Sequence, residues 1–151
     1  MTVKTVALAS DHGGIELRKM IAGYLEDQGI DYQEFGPKTA ESVDYPNLAF
    51  TVSEKVASGE VERGILICGT GIGMSIAANK VKGIRCALVG DTFSAHATRE
   101  HNDTNVLALG ARVIGPGLAL DIVDIWLNTD YEGGRHANRL GQITDYEDQH
   151  C

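Results

Sequence analysis

Residues 64–80 read GILICGTGIGMSIAANK, and this stretch decides the fold. Its apolar run at 65–67 ends at Cys68 and predicts a strand that is buried on both faces. The glycines that follow predict a tight turn, and the alanine-rich segment after them predicts a helix. A strand–turn–helix junction directs free backbone N–H groups and the positive end of a helix dipole at one point. The stretch therefore predicts an anion site beside a thiol, in a position that favours the thiolate.

The same stretch has a plainer interpretation, in which Cys68 is only a small core residue. The glycine turn favours a site, because such backbone freedom is needed where something must approach closely. Its spacing G-x-G-x-G differs from the dinucleotide fingerprint G-x-G-x-x-G, and no Gly-Lys-Ser/Thr ends it as in a Walker loop. The loop alone thus predicts an anion site and leaves the anion open.

Bulk composition is typical of a soluble globular domain. The chain has 151 residues, of which 43% are hydrophobic and 23% charged, and its formal net charge is −8. This charge argues against nucleic acid and anionic membranes as partners. We see no stretch long enough to span a membrane and no signal-peptide pattern. The three cysteines, Cys68, Cys86 and Cys151, show no metal-ligand spacing and predict free thiols in a reducing cytoplasm.

Apolar runs alternate with helical periodicity along the chain. Strands are predicted near residues 3–9, 31–35, 65–68, 84–89 and 106–109, with helices between them. A further helix opens at Pro116, with Leu118, Ile122, Ile125 and Trp126 on one face. Residues 1–151 are therefore predicted to form a single α/β domain, a Rossmann-like three-layer α/β/α sandwich with a five-stranded parallel sheet. A polar C-terminal helical tail is predicted over 131–151.

Polar and glycine residues follow several of the predicted strands. Because ligands bind at the carboxyl ends of parallel strands, these residues are expected along one edge of the sheet. They are Asp11, His12, residues 68–73, Asp91 and Arg112. We expect them to share a pocket.

Five motifs, taken together, resemble type B ribose-5-phosphate isomerase. They are SDHGG at 10–14, DYP at 44–46, ICGTGIGMSIAANK at 67–80, HNDTNVL at 101–107 and YEGGRH at 131–136. They occur in the family's order and cover essentially the whole chain. The resemblance implies interconversion of ribose 5-phosphate and ribulose 5-phosphate without metal or other cofactor. Sister branches isomerise the phosphates of allose and galactose.

The resemblance also implies catalytic roles. Moving a carbonyl from carbon 1 to carbon 2 requires a base, a proton relay and a site for the enediolate. The base would be Cys68, the relay Thr70, and the enediolate site the N–H groups of Gly69, Gly71 and Gly73. Branches that use a glutamate as base carry it where Met74 stands here. His101 would open the sugar ring with Asp11 as its partner; their plainer interpretations are a helix-end histidine and an N-cap aspartate.

Phosphate binding is implied for four cationic side chains, which are His12, Arg112, Arg135 and Arg139. Arg135 and Arg139 are four residues apart, so they share a helix face, which could also be merely solvated. Tyr45 and Asn102 resemble sugar-contacting residues. Family members are homodimers, or dimers of dimers, with shared active sites, so the tail at 131–151 is expected to pack on a partner subunit. His96, His136 and His150 are left as unassigned surface or interface residues.

Two other functions stay open. A non-catalytic α/β module that binds a nucleotide or another anion would explain the glycine loop, but not Cys68, His101 or the arginine pair. An isomerase of a six-carbon sugar phosphate, such as allose or galactose 6-phosphate, would use the same residues. Pocket length would decide between the sugars, and the sequence does not predict it.

Overall fold

A parallel five-stranded sheet forms the centre of the protein. The computed structural model describes residues 3–151. The strands are β1 (Thr5–Ser10), β2 (Asp31–Phe35), β3 (Arg63–Cys68), β4 (Cys86–Leu88) and β5 (Val106–Gly110). Their order across the sheet is β2-β1-β3-β5-β4, so the strand that ends at Cys68 is the middle one. The predicted sheet is confirmed, although the fourth strand is shorter than the predicted 84–89.

Helices cover both faces of this sheet. They are α1 (Ile15–Asp27), α2 (Tyr45–Ala57), α3 (Ile72–Ala78), α4 (Thr92–Asn102), α5 (Pro116–Asn128) and α6 (Arg135–His150), with a short 3₁₀ helix at His12–Gly14. Successive residues of a strand point to opposite faces, which divides the core in two. Ile65 and Ile67 pack with residues of α1 and α5. Leu66 and Cys68 pack with residues of α2 and α3. The predicted three-layer α/β/α sandwich is confirmed.

The apolar face of α5 differs from the predicted one. The buried residues are Ala119, Ile122, Val123, Trp126 and Leu127. Leu118, in the first turn, is 36% exposed. The helix therefore turns a stripe centred on Ile122 and Trp126 towards the sheet, and its apolar face is used within the chain. None of the helices in the described part of the chain is long and apolar enough to span a membrane.

The tail forms the helix α6, as predicted, and it packs in part on its own chain. His136 and Leu140 are its buried residues. Towards its other end, the carboxylate of Glu147 accepts a hydrogen bond of 2.9 Å from the N–H of Gly83. His136, which the sequence left as a surface or interface residue, is only 5% exposed. That expectation is wrong, because α6 turns this side chain towards α4.

Candidate active site

The loop between β3 and α3 holds the thiol of Cys68 against its own backbone. The N–H of Gly71 donates a hydrogen bond of 3.1 Å to Sγ of Cys68, which is buried. Gly71 has a φ of 78°, and a Cβ there would lie 2.5 Å from Cδ1 of Leu88 and 2.9 Å from the carbonyl carbon of Leu109. Any other residue would be strained and would clash, so glycine is required to place this N–H at the sulfur.

Further backbone N–H groups point into the same loop. The N–H of Ile72 donates to Oγ1 of Thr70 at 3.2 Å, which holds the threonine hydroxyl within the loop. The N–H groups of Gly69 and Gly73 donate to no acceptor among residues 3–151. The loop therefore offers N–H donors to a ligand atom beside the thiol.

Asp11 and Arg112 approach this loop from the two neighbouring strands. Oδ1 of Asp11 accepts a hydrogen bond of 2.8 Å from the N–H of Gly13, which is the N-cap geometry of its plainer interpretation. The N–H of Arg112 donates to the carbonyl of Gly69 at 2.9 Å. Its guanidinium lies alongside both glycines, with Nη2 3.8 Å from a Cβ built on Gly13 and Nη1 3.7 Å from one built on Gly69. An exposed cation thus stands over the loop.

His12 and Tyr45 also lie at the glycine loop. Together with Cys68, Asp11 and Arg112 they form a first cluster of candidate site residues. The N–H of Val43 donates to Nδ1 of His12 at 3.3 Å, so the proton of a neutral ring is assigned to Nε2, which can donate to an anion. The ring of Tyr45 lies against Gly73, where a Cβ would be 2.5 Å from Cζ and 2.7 Å from the hydroxyl oxygen. The absent side chain at Gly73 therefore lets the phenol reach the loop.

Asp91, which the sequence places on the same edge, is explained by helix capping. The N–H of Ser94 donates to Oδ1 of Asp91 at 2.7 Å. This hydrogen bond holds the pKa of Asp91 below its ordinary value. Its position at the start of α4 satisfies the helix end, and no ligand is needed to account for it.

A second cluster forms where α4 ends and α6 begins. The ring of His101, in the last turn of α4, stacks on the ring of His136 with centroids 4.3 Å apart and planes inclined by 21°. Oε2 of Glu132 lies 3.5 Å from Nε2 of His136. Arg135 and Arg139 occupy the first two turns of α6 and are exposed.

The two clusters lie at opposite ends of the strands, the first at their carboxyl ends and the second at their amino ends. Cys68 and Arg112 follow the carboxyl ends of β3 and β5, whereas α4 returns the chain to the amino ends of the strands. There, at the start of β4, Nε of Arg85 donates to the carbonyl of Asn102 at 2.8 Å. A five-residue strand such as β5 spans about 17 Å. One chain therefore does not bring His101 to its own Cys68.

A family model described as Ribose/Galactose Isomerase matches residues 6–143. The chain belongs to this family. Within it, the chain is 49% identical over 145 residues to ribose-5-phosphate isomerase B of Escherichia coli (strain K12), covering 96% of this chain and 97% of that one. The resemblance stated from the motifs is confirmed.

Two solved structures of similar proteins have the same fold. Ribose-5-phosphate isomerase B of Clostridium thermocellum superposes with a TM-score of 0.95 at 52% identity, covering 97% of this chain and 99% of that chain. Ribose-5-phosphate isomerase B of Mycoplasma genitalium, solved with bound ribulose 5-phosphate, has a TM-score of 0.94 at 39% identity and 99% coverage of both chains. Members of the ribose/galactose isomerase family thus share this architecture over essentially the whole chain.

Sequence reasoning missed the group formed by His101, Glu132 and His136, because His101 is remote from the other two along the chain. Among the described residues, these three have one ligand atom each within 4.8 Å of the others, which is the spacing of a candidate metal site. Here, however, the two imidazoles are nearly parallel. The lone pair of each ring nitrogen lies in the plane of its ring. Two nearly parallel planes do not cross close to the rings, so no point lies on both lone pairs at the metal–nitrogen distance of about 2.0–2.1 Å. The stacked arrangement favours ring contact over metal binding.

Proposed function

We propose that this protein is an aldose–ketose isomerase that interconverts ribose 5-phosphate and ribulose 5-phosphate. The observation that carries the proposal is the thiol of Cys68, held by the N–H of Gly71 in a loop flanked by Asp11 and Arg112. Membership of the ribose/galactose isomerase family supports it. So does the relative from Mycoplasma genitalium, whose structure contains ribulose 5-phosphate.

In the proposed reaction, the thiolate of Cys68 takes the proton from carbon 2 of the open-chain aldose. The electrons of that C–H bond form a double bond between carbons 1 and 2, and the carbonyl electrons move to oxygen 1. The N–H groups of Gly69 and Gly73 stabilise the resulting enediolate, and the N–H of Gly71 joins them once Cys68 has taken up the proton. Thr70 moves the proton of oxygen 2 to oxygen 1, and the proton held by Cys68 returns to carbon 1. Atoms and electrons balance within the sugar, so the step requires no metal or redox cofactor.

Substrate binding is proposed for residues of both clusters. Nε2 of His12 and the guanidinium of Arg112 would donate to the phosphate from the first cluster. Arg135 and Arg139 would add two cations from the second, where fixed guanidinium donors suit phosphate oxygens. Tyr45 and Asn102 would contact the sugar hydroxyls. His101, with Asp11, would open the furanose ring before the isomerisation.

The proposed site requires a second copy of the chain, because the two clusters lie at opposite edges of one sheet. A partner subunit would supply His101, Asn102, Arg135 and Arg139 to the loop that carries Cys68. The tail at 131–151 would then pack partly on that partner.

Exposed apolar side chains near the glycine loop support a homodimer. Ile72 and Ile76, on one face of α3, are 51% and 58% exposed, and Phe93 at the start of α4 is 79% exposed. Leu88, whose side chain contacts the Gly71 position, is 44% exposed. Large apolar side chains left exposed where β3 and β4 lead into α3 and α4 are typical of an interface. The apolar face of α5, by contrast, is buried in the chain's own core.

The proposed setting is the cytoplasm, since all three cysteines are free thiols. The deciding assay incubates the protein with ribose 5-phosphate and follows ketose formation, with and without chelator. We expect turnover that chelator does not reduce. Faster turnover on allose 6-phosphate would favour the six-carbon alternative. Binding of a nucleotide without any turnover would favour the non-catalytic module.

A further inference from the structure

His136 is a buried polar side chain that the proposed chemistry leaves without a role. It is 5% exposed, and an imidazole is costly to bury unless its nitrogens are satisfied. Its ring stacks on the ring of His101, with centroids 4.3 Å apart, and the carboxylate of Glu132 lies 3.5 Å from Nε2. An apolar side chain would fill the same space without that cost, so the imidazole calls for an explanation.

The backbone around Glu132 is fastened to the end of α4. The N–H of Glu132 donates to the carbonyl of Glu100 at 3.1 Å, and Nε of Arg99 donates to the carbonyl of Thr129 at 3.2 Å. The chain then reverses at Gly133 and Gly134, with φ of 68° and 58°, and α6 begins. The carboxylate and the stacked rings therefore lie at a joint between α4 and α6 that these two hydrogen bonds hold together.

We propose that His136, held by Glu132, positions the imidazole of His101 for opening the sugar ring. Stacking fixes the plane of the His101 ring, and the carboxylate of Glu132 fixes the ring of His136. The same joint carries Arg135 next to His136. It therefore fixes the position of His101, which opens the ring, relative to Arg135, which binds the phosphate. His136 and Glu132 are positioning residues, because they act through His101. This inference rests on the proposed function.

The substrate chemistry separates ring opening from proton transfer. Ribose 5-phosphate closes a furanose ring through its free oxygen 4. Ribulose 5-phosphate cannot close the corresponding ring, because its oxygen 5 carries the phosphate. Exchange of a carbon-1 proton of ribulose 5-phosphate with solvent deuterium therefore needs Cys68 but no ring opening. Net conversion of ribose 5-phosphate needs both.

The experiment measures these two rates for His136→Ala, His136→Phe and Glu132→Gln. We expect His136→Ala and Glu132→Gln to lower the turnover of ribose 5-phosphate by about 10- to 100-fold, the cost of a misplaced catalytic group. Deuterium exchange into ribulose 5-phosphate should stay within about twofold of the wild-type rate, because His136 and Glu132 act outside the proton-transfer step. His136→Phe keeps a flat ring against His101 and should recover part of the loss.

The matched control is Asp145→Asn, which removes one carboxylate from an exposed position farther along α6. It should change neither rate. Glu132 is itself exposed, so Glu132→Gln is expected to fold even if a substitution of the buried His136 does not. Nuclear magnetic resonance spectra of protein with isotope-labelled histidine give a readout that is independent of activity. The ring signals of His101 should shift in His136→Ala and in Glu132→Gln. They should not shift in Asp145→Asn.

Wild-type turnover in Glu132→Gln and His136→Ala, or an equal fall of turnover and exchange in Glu132→Gln, would overturn the positioning role. Unchanged His101 signals in both variants would do the same. A wild-type protein that catalyses neither reaction would instead defeat the proposed function, so the two failures are distinguishable.

Discussion

The backbone N–H of Gly71 points at the sulfur of Cys68 and donates a hydrogen bond of 3.1 Å to it. A nitrogen donor at this place supports a sulfur atom that carries negative charge, as a catalytic base must. The contact exists only because the chain turns through φ 78° at Gly71. Under the proposed mechanism, the glycine loop would support the thiolate of Cys68 as well as leave room for the substrate.

Replacing Cys68 by serine tests the base. Serine is similar in size, but its hydroxyl stays protonated where a thiol can ionise. We expect turnover to fall by at least about 100-fold, the lower range for loss of a general base, with substrate binding nearly unchanged. The measurement is ketose formation together with carbon-2 proton exchange, in a Cys86→Ala, Cys151→Ala background that serves as control. Near-full turnover would make Cys68 a packing residue.

The three thiols should differ in reactivity. Burial raises the pKa of the Cys86 thiol from 9.0 to about 12, so it stays protonated and unreactive at pH 8. Cys151 is exposed and should alkylate readily. Mass spectrometry after treatment with iodoacetamide should find Cys151 modified and Cys86 intact, until denaturant exposes it. Cys68 should be alkylated in the free protein, and bound substrate should protect it from iodoacetamide.

The same pKa shift links stability to pH. Because the pKa of Cys86 is higher in the folded protein, its contribution is present below about pH 9 and is lost as pH rises from there towards 12. Cys86→Ala should flatten the fall of unfolding free energy over that window. Rapid labelling of Cys86 in the folded protein at pH 8 would contradict both expectations.

Gly71→Ala should damage stability and activity together. A left-handed conformation costs an alanine about 1–2 kcal/mol, and the added methyl meets Leu88 and the backbone of Leu109. Displacing the loop would also move the N–H from Cys68 and lower turnover. The control is Gly23→Ala within α1, where no atom lies within 4 Å of the new Cβ, and stability should rise by about 0.5–1 kcal/mol. Thermal unfolding and turnover of both variants check this, and a fully active Gly71→Ala would refute it.

Arg135→Ala should mainly raise the Michaelis constant, because the phosphate is remote from the reacting carbons. Loss of a charge-assisted hydrogen bond is expected to cost about 1.5–3 kcal/mol in kcat/KM. Some loss of kcat is allowed, since a bound phosphate also positions the sugar. Lys4→Ala, which removes an exposed cation just before β1, is the control. Unchanged KM and kcat in Arg135→Ala would remove this residue from the site.

Mixing two inactive variants tests the shared site. One carries Cys68→Ala, and the other carries His101→Ala with Arg135→Ala. A mixed dimer would hold one intact site and one doubly damaged site, so random exchange should restore about a quarter of wild-type activity. Native mass spectrometry should verify the exchange. If mixed dimers form without recovered activity, all three residues belong to one subunit's site.

The sequence by itself determined the elements and their layers. The apolar runs at β1, β3 and β5 and the helical periodicity between them are local patterns, and local geometry decides which face each residue presents. The glycine loop after β3 was equally readable, because backbone freedom is a property of the residue. The edge that gathers Asp11, Cys68 and Arg112 followed from the direction of parallel strands.

Only the tertiary structure decided which distant side chains meet. The stack of His101 on His136 depends on how α6 packs against α4, and no spacing along the chain encodes that packing. It also showed that α5 uses its apolar face internally and that Ile72, Ile76 and Phe93 remain exposed. The separation of His101 from Cys68 arises because a helix following a parallel strand must carry the chain back across the whole height of the sheet. A residue's position in the motif order cannot reveal that distance, since it is set by strand length and direction in three dimensions.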